Sequence, residues 1–470
     1  MKLKKFLQNF SLTIASNFLS LITSVIVILV VPKTIGVYEY GLWQLFIFYS
    51  SYIGVLHFGW IDGIYLRYGG ITYKGLDKSA MAGQFLYLLV SQAIVTVLMI
   101  SITNFMFVGD TRIILINVAG AIVLVNMKSF FQFVLQMTNR INEYAISNFL
   151  SSIVYIIVLL ALISMGIKDY QFFIWSFFCG QLFSLIYCGF TCKDILLSKP
   201  TEDMYKNLRE AKKNVRVGSK LLISNIAGLL VIGIVRFGIQ NTWDVKTFGK
   251  ISLVLSLSNF LMIFIGAVSL VLFPILRRVD VKIMHNIYMS LQSLLLPVIF
   301  LGLFMYFPII ALIPKWLPNY SSALTYMSLL FPVIIYQSKF ELLSNTFFKV
   351  LRMEKILMIL NGVTVVLSLI LTFFATYVFK NLTIAVFNIL IVMFIRGLIS
   401  EKLLGRKMEL VYISTLVLET CMVVVFVFST WYLSWRDSLF VYSTFYIFYL
   451  LIEGRNIKQG ISYILLIKKM

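Results

Sequence analysis

The sequence predicts an all-α, polytopic membrane protein with about fourteen transmembrane helices, and no fewer than about twelve. Three observations predict this class. Hydrophobic residues make up 60% of the chain and charged residues only 13%, and the mean hydropathy is +0.94. Apolar runs of about twenty residues recur from end to end, and each can cross a bilayer core of roughly 30 Å. Lys and Arg gather in alternate connecting segments, which is typical of repeated membrane crossing.

The candidate spans follow one another with short connections. The first comes after the basic start MKLKK, and it lacks a small-residue cleavage site, so we interpret it as a retained span and not as a signal peptide. The approximate limits of the spans are 8–31, 41–63, 80–107, 112–137, 142–166, 170–190, 217–240, 248–275, 284–313, 320–346, 355–379, 381–399, 409–431 and 437–453.

The basic residues predict the orientation. With the N-terminus inside, most of the 40 Lys and Arg residues fall in cytoplasmic segments, Arg396 among them, so both termini are expected in the cytoplasm. Three others, Lys128, Arg236 and Lys339, fall within spans. Topology and anionic lipid headgroups explain the net charge of +21. Nucleic-acid binding is not expected, because the chain offers neither a basic soluble face nor an aromatic stacking platform.

Cysteine and histidine usage gives no support for a catalytic or metal centre. The four cysteines have no metal-ligand spacing, and His57 and His285 have no evident catalytic partner nearby in sequence. We therefore predict no disulfide, no metal site, no cofactor and no catalytic residue.

Two short patterns recur at one offset. ASNFLSL, with Asn17, resembles ISNIAGL, with Asn225, and Tyr40 followed by glycine resembles Phe248 followed by glycine. Both pairs are separated by 208 positions. The number of candidate spans between the copies is even, so both copies begin on the same side of the membrane. This predicts parallel halves, an arrangement that favours alternating access around a central cavity.

The repeat and the charge pattern predict four regions. They are an N-terminal six-helix bundle (1–190), a cytoplasmic amphipathic linker (191–216), a C-terminal six-helix bundle (217–399) and an extra helix pair with a cytoplasmic tail (400–470). In the linker, apolar residues recur at helical spacing among Lys and Arg, so we expect an interfacial helix there.

The chain resembles a known transporter family. The segments that carry the resemblance are VVPKTIGVYEYGLWQL, FGKISLVLSLSNF and SLVLFPILRR. They are similar to polysaccharide-type, Wzx-like, flippases of the multidrug/oligosaccharidyl-lipid/polysaccharide exporter superfamily, over the whole length. The strongest points are Pro32, Tyr40-Gly41, Phe248-Gly249 and Pro274. The resemblance implies two six-helix bundles in a V with two further C-terminal helices.

The resemblance also implies a transporter and not an enzyme. Its function would be to move undecaprenyl-pyrophosphate-linked oligosaccharide repeat units from the inner to the outer leaflet of a bacterial cytoplasmic membrane, for O-antigen, capsule or other surface polysaccharide. A polysaccharide polymerase and assembly proteins would be its partners. The alternatives are a cation-coupled multidrug exporter or a lipid II flippase of the same superfamily, or a membrane-embedded polysaccharide polymerase or acyltransferase.

Cations within the spans are the candidate substrate-binding residues. Placing Arg or Lys at a helix centre costs about 2.5–3.5 kcal/mol, so a cation kept there normally faces a wet cavity or a partner. Arg236 lies three helical turns after Asn225, near one helix face. Arg236 could bind a pyrophosphate or an acidic sugar through its planar fork. The alternative is that it reaches to the outer interface.

Lys128 and Gln132 form a second candidate pair, near one face of the fourth span. They would line the cavity, and the alternative for Lys128 is the inner interface. Asn17 belongs to a polar stripe in the first span, which suits either sugar hydroxyls or close helix packing.

Acidic residues near the spans complete the candidates. Glu419 stands alone in the apolar run LVLETCMVVV, and we interpret it as a protonated or paired carboxyl and as a candidate ion-coupling residue. Lys339 and Glu341 are expected at the inner interface, and Asp62 and Arg67 are expected to form a surface pair.

Overall fold

The computed structural model describes residues 22–200, 204–260, 262, 265, 269, 276, 283–409 and 413–467. Within these ranges the chain is helical and contains no strand, which confirms the all-α prediction. The same ranges contain nine helices long and apolar enough to cross a membrane, together with shorter apolar segments. The chain divides into two compact units, Met1–Ile226 and Ala227–Met470.

The N-terminal unit is built from long helices that lie next to one another along the chain. Its helices are α1 (Ile22–Ile35), α2 (Val37–Ser50), α3 (Trp60–Tyr68), α4 (Lys78–Met106), α5 (Gly109–Met137), α6 (Ile141–Ser164), α7 (Tyr170–Thr191), α8 (Lys193–Leu196) and the first part of α9 (Met204–Thr242). Short 3₁₀ segments lie at Ile53–His57 and Tyr73–Gly75.

The C-terminal unit contains more interrupted helices. After α9 come α10 (Val245–Asn259), α11 (Met284–Gly302), α12 (Tyr306–Trp316), α13 (Met327–Leu330), α14 (Val333–Lys339), α15 (Thr346–Val350), α16 (Glu354–Phe373), α17 (Leu382–Met408), α18 (Ile413–Tyr432) and α19 (Trp435–Ile467). Segments of 3₁₀ helix lie at Leu303–Met305 and Pro318–Tyr326, and π-helical segments lie at Phe340–Asn345 and Phe374–Val378.

The second predicted span is broken in the structure. Phe58 (φ +53°) and Gly59 (φ +80°) adopt left-handed backbone conformations, which end one helical segment and begin α3. Glycine adopts this conformation at no steric cost. A side chain on Gly59 would also overlap the backbone of Ser219, so the break allows α3 and α9 to pack closely.

The second part of the segment predicted as a linker, from Met204 onward, forms one helix with the span that follows it. α9 runs without interruption from Met204 to Thr242, across the expected boundary at residue 216. Its first turns are held by polar contacts with the N-terminal unit. The side chain of Arg67 bonds to Glu210 and Asn214, and the Gln84 amide donates to the Asn207 carbonyl over 3.0 Å.

The internal repeat has a structural counterpart. α2 begins at Val37 and α10 begins at Val245, which is again 208 positions later. Tyr40 and Phe248, the repeated aromatic residues, are both buried. Asp244 caps α10, and the hydrogen bonds from Thr247 hold the pKa of the Asp244 carboxyl below its usual value. The matching helix starts support the duplication that the sequence predicts.

Each unit has its own core. In the N-terminal unit, Phe130, Phe131 and Val134 of α5 pack in a buried apolar cluster with residues of α3, α4, α7 and α8. In the C-terminal unit, aromatic rings join the last two helices to the rest. Tyr442 of α19 donates to the Phe300 carbonyl over 2.9 Å, and the Phe426 ring of α18 meets Tyr306 edge-on at 5.2 Å.

Candidate functional site: charged side chains within the helices

Gln132 of α5 is engaged with the neighbouring helix. Its amide nitrogen donates to the Ser147 hydroxyl and to the Asn148 side-chain oxygen of α6, both at 2.8 Å, and its side chain is buried. The amide donors are therefore used in packing α5 against α6. Gln132 would therefore bind a ligand through its side-chain oxygen, or would position the part of α5 that carries Lys128.

Lys128 lies one helical turn before Gln132 on α5 and is half-buried. In the part of the chain that the structure describes, it forms no salt bridge with a carboxylate. The titratable side chain that acts on it is the Cys188 thiol of α7. An ammonium without a carboxylate partner is a ready binding group for an anion.

Arg236 is held against α10. Its Nη2 donates to the buried Ser252 hydroxyl over 3.0 Å, and its guanidinium carbon lies 5.1 Å from the centre of the Phe248 ring. Phe248 is the aromatic residue of the second repeat copy, so the planar group packs on a feature that recurs in the internal repeat. The side chain remains half-buried, which leaves part of the guanidinium accessible.

Asn225 lies on the same continuous helix as Arg236, as the spacing predicts, and its side chain is exposed. Asn17, the corresponding residue of the first repeat copy, lies outside the described residues.

Glu419 of α18 is buried and bonds to the Lys339 ammonium. Lys339 also contacts the Glu401 carboxylate of α17 at 2.6 Å. All three side chains are 3% exposed or less. The expectation of an interfacial Lys339 is therefore wrong. Packing from three helices encloses its ammonium, and two carboxylates offset the cost of removing it from water. Glu341, two residues away, is half-buried and accepts a hydrogen bond from Asn345.

Arg396 of α17 is a buried cation that the sequence assignment placed in a cytoplasmic segment. Its side chain is 4% exposed, its Nη2 donates to the Asn361 amide oxygen at 2.7 Å, and its guanidinium carbon lies 3.5 Å from the centre of the Phe340 ring. α17 extends to Met408, well past the expected end of the span at residue 399, so Arg396 lies inside one continuous helix and not in a connecting segment. The apolar run around Arg396 was the available signal.

Asp62 and Arg67 do not form the predicted surface pair. Asp62 is buried, and its carboxylate lies 3.7 Å from the His57 Nε2 atom across the helix break. Arg67 instead pairs with Glu210 of α9 at 2.6 Å. The break between α2 and α3 turns Asp62 inward, which a regular helix would not do.

An apolar cavity of about 520 Å³ lies in the C-terminal unit. Side chains of α17 and α18 line most of it, including Phe387, Phe394, Val424 and Trp431. Such a lining suits a hydrocarbon chain better than a sugar. Among the described residues, no group of three or more His, Cys, Asp or Glu side chains is placed to hold a metal ion.

Solved transporters share this fold. No protein-family model and no curated protein matches the sequence. The structure of the lipid II flippase MurJ in an inward-closed conformation matches with a TM-score of 0.65 and 13% identity, over 96% of this chain and 99% of that chain. An inward-facing multidrug resistance MATE transporter of the MOP superfamily matches with a TM-score of 0.58 and 12% identity, over 83% of this chain and 98% of that chain. The chain therefore shares the polytopic, all-α fold of these two structures.

Proposed function

We propose that the protein is a flippase that moves undecaprenyl-pyrophosphate-linked oligosaccharide repeat units from the inner to the outer leaflet of a bacterial cytoplasmic membrane. Its product would feed O-antigen, capsule or other surface polysaccharide synthesis, and a polysaccharide polymerase and assembly proteins would act with it. Both termini would lie in the cytoplasm, as the distribution of Lys and Arg predicts.

Lys128 is the observation that carries the proposal. It is an ammonium within a membrane helix that has no carboxylate partner among the described residues, so an anionic headgroup can use it. A cationic drug would be repelled by this group, which favours a lipid-linked anion over a multidrug substrate. The MurJ-like fold supports a lipid-linked substrate further.

The other candidate residues take complementary roles. Arg236 offers a planar fork for a phosphate or an acidic sugar, while Asn225, Asn17 and Gln132 offer amide groups for sugar hydroxyls. The isoprenoid chain would remain in an apolar environment, for which the cavity beside Phe387 and Trp431 is suited. Alternating access of the two halves would then expose the sugar to the other side.

A lipid II flippase is the second candidate, because the MurJ structure matches nearly the whole of both chains. Both substrates carry a pyrophosphate on an isoprenoid, so Lys128 would serve either. The sugar portion distinguishes them, and the test must therefore supply both lipids.

The test is a flipping assay in proteoliposomes with a fluorescent undecaprenyl-pyrophosphate oligosaccharide and, in parallel, fluorescent lipid II. We expect Lys128→Ala to reduce the flipping rate at least about tenfold, which corresponds to about 1.4 kcal/mol of lost binding. Lys128→Arg should retain part of the activity. The exposed Lys315→Ala is the matched control and should behave as wild type. Equal rates for wild type and Lys128→Ala would contradict the proposal, and transport of lipid II alone would select the second candidate.

A further inference from the structure

Three buried charged side chains of the C-terminal unit form one cluster across three helices. Lys339 of α14 bonds to Glu419 of α18 and lies 2.6 Å from Glu401 of α17. Gln292 of α11 joins the cluster, because its amide nitrogen donates to Glu401 Oε1 over 3.3 Å. All four side chains are 3% exposed or less. The cluster therefore ties α14, α17, α18 and α11 together at one place.

The cluster has more negative than positive groups. One ammonium faces two carboxylates, so the fully ionised cluster has one excess negative charge. The charged groups that act on Lys339 are these same two glutamates. The other titratable groups that face the glutamates are Tyr288 of α11, Tyr336 of α14 and Tyr449 of α19, and Glu453 of α19 acts on Tyr449. An uncompensated charge at this depth is strongly unfavourable.

Two buried oxygen atoms of the cluster lack a hydrogen-bond donor. Glu401 Oε2 and Gln292 Oε1 have no hydrogen-bond partner in the described part of the chain, although both side chains are 1% exposed. Both atoms are acceptors when the glutamate is ionised. A proton on the carboxyl would turn one acceptor into a donor and would also remove the excess charge.

A metal ion fits this arrangement less well than a proton. Hard cations take about six or more oxygen ligands, and the Lys339 ammonium already occupies the position between the two carboxylates. A proton needs a single oxygen and no coordination shell.

A cavity of about 400 Å³ with many polar residues in its lining borders the cluster at Gln292. Gln292 forms part of its wall, and α19 contributes Glu453, Asn456 and Gln459. Arg455 and Lys458 mark this end of α19 as cytoplasmic under the positive-inside rule. Water in a polar cavity of this size could carry protons to Gln292 and Glu401.

We propose that Lys339, Glu401 and Glu419 form an exchangeable proton-binding site, which holds one proton between its two carboxyls and is filled through the polar cavity at Gln292. The site lies where the last two helices meet the rest of the C-terminal unit. Proton release leaves an excess negative charge between α17 and α18, so it weakens the packing of these helices. The proposal is independent of which substrate the protein carries.

Infrared difference spectroscopy of the lipid-reconstituted full-length protein tests the site, because a protonated buried carboxyl gives its own C=O stretching band. We expect a band that titrates with pH and is the same in sodium chloride and choline chloride. Glu401→Gln and Glu419→Gln should each abolish it, since either leaves a neutral pair with Lys339. Glu341→Gln is the matched control and should retain it. Ser293→Phe, which fills the cavity, should slow deuterium exchange of the band at least tenfold.

Three results would overturn the proposal. A band absent at every pH in wild type would show two ionised carboxylates and a purely structural ion pair. A band that sodium removes at constant pH would show that the site takes sodium instead. A band that survives both single substitutions would place the proton elsewhere. Thermal unfolding of each variant identifies those that fail to fold, and the wild-type titration in the two salts stands without them. Deuterium exchange unchanged by Ser293→Phe would exclude the cavity as the route.

Discussion

The two units bury their polar groups by different means. In the N-terminal unit the buried partners are mostly neutral amides. The Asn214 amide and the Trp60 indole both donate to the side-chain oxygen of Gln84, and the Asn126 amide donates to the side-chain oxygen of Gln92 over 2.7 Å. In the C-terminal unit, the buried Lys339 instead pairs with two ionisable side chains, Glu401 and Glu419. Side-chain amides stay uncharged at every pH, whereas a carboxyl group in an ionic cluster can gain or lose a proton. The amide pairs and the Lys339 cluster therefore differ in whether a proton can change their charge. The buried His57–Asp62 pair is the titratable exception in the N-terminal unit.

The largest expected effect is the difference in stability between variants of Lys339, which is buried, and of Lys128, which is half-buried. Lys339→Met removes the common partner of two buried carboxylates, so we expect it to lower the free energy of unfolding by about 3–5 kcal/mol. Lys128→Met removes an ammonium that has no described carboxylate partner, and we expect no loss of stability. Chemical unfolding in detergent micelles, followed by tryptophan fluorescence, measures both. Equal losses for the two variants would contradict the distinction between the units.

Hydropathy was enough to predict the fold class. A segment that crosses lipid must satisfy its backbone hydrogen bonds internally, which a helix does, and its apolar side chains form a long run in the sequence. It did not predict where helices break. The left-handed residues at Phe58 and Gly59 and the π segment at Phe340–Asn345 lie inside apolar runs and leave hydropathy unchanged.

Site prediction succeeded where the signal was local. Glu419 stands alone in an apolar run, so its need for a proton or a partner was evident from the sequence. Its partner Lys339 is 80 positions away, and Glu401 lies close to the expected end of a span. Only tertiary packing brings them together, which the sequence pattern does not show.

A medium effect is expected where the N-terminal unit relies on close backbone contact. A methyl group on Gly63 of α3 would overlap the Asn214 carbonyl oxygen of α9. We expect Gly63→Ala to lower the free energy of unfolding by about 1–3 kcal/mol, because the two helices must separate.

The matched control for this contact is Gly54→Ala, since a methyl group there meets no described atom within 4 Å. Replacing a helical glycine by alanine in open space should leave stability unchanged or raise it by up to about 1 kcal/mol. The same unfolding assay compares the two variants. If Gly63→Ala were as stable as Gly54→Ala, the close packing of α3 on α9 would not be what holds this unit together.

The smallest effect is expected at the ion pair of the N-terminal unit. Arg67 Nη2 lies 2.6 Å from the Glu210 carboxylate, but both side chains are about a quarter exposed, at 26% and 24%. Water therefore screens the pair, and Glu210→Ala, which leaves the bond from Arg67 to the buried Asn214 in place, should cost no more than about 1 kcal/mol. Lys213, which also pairs with Glu210 and is 49% exposed, provides the control, and Lys213→Ala should be indistinguishable from wild type. A loss at Glu210 as large as that at Lys339 would mean that ion pairs stabilise both units to the same extent, and the contrast between amide pairs in the N-terminal unit and the ionic cluster in the C-terminal unit would be lost.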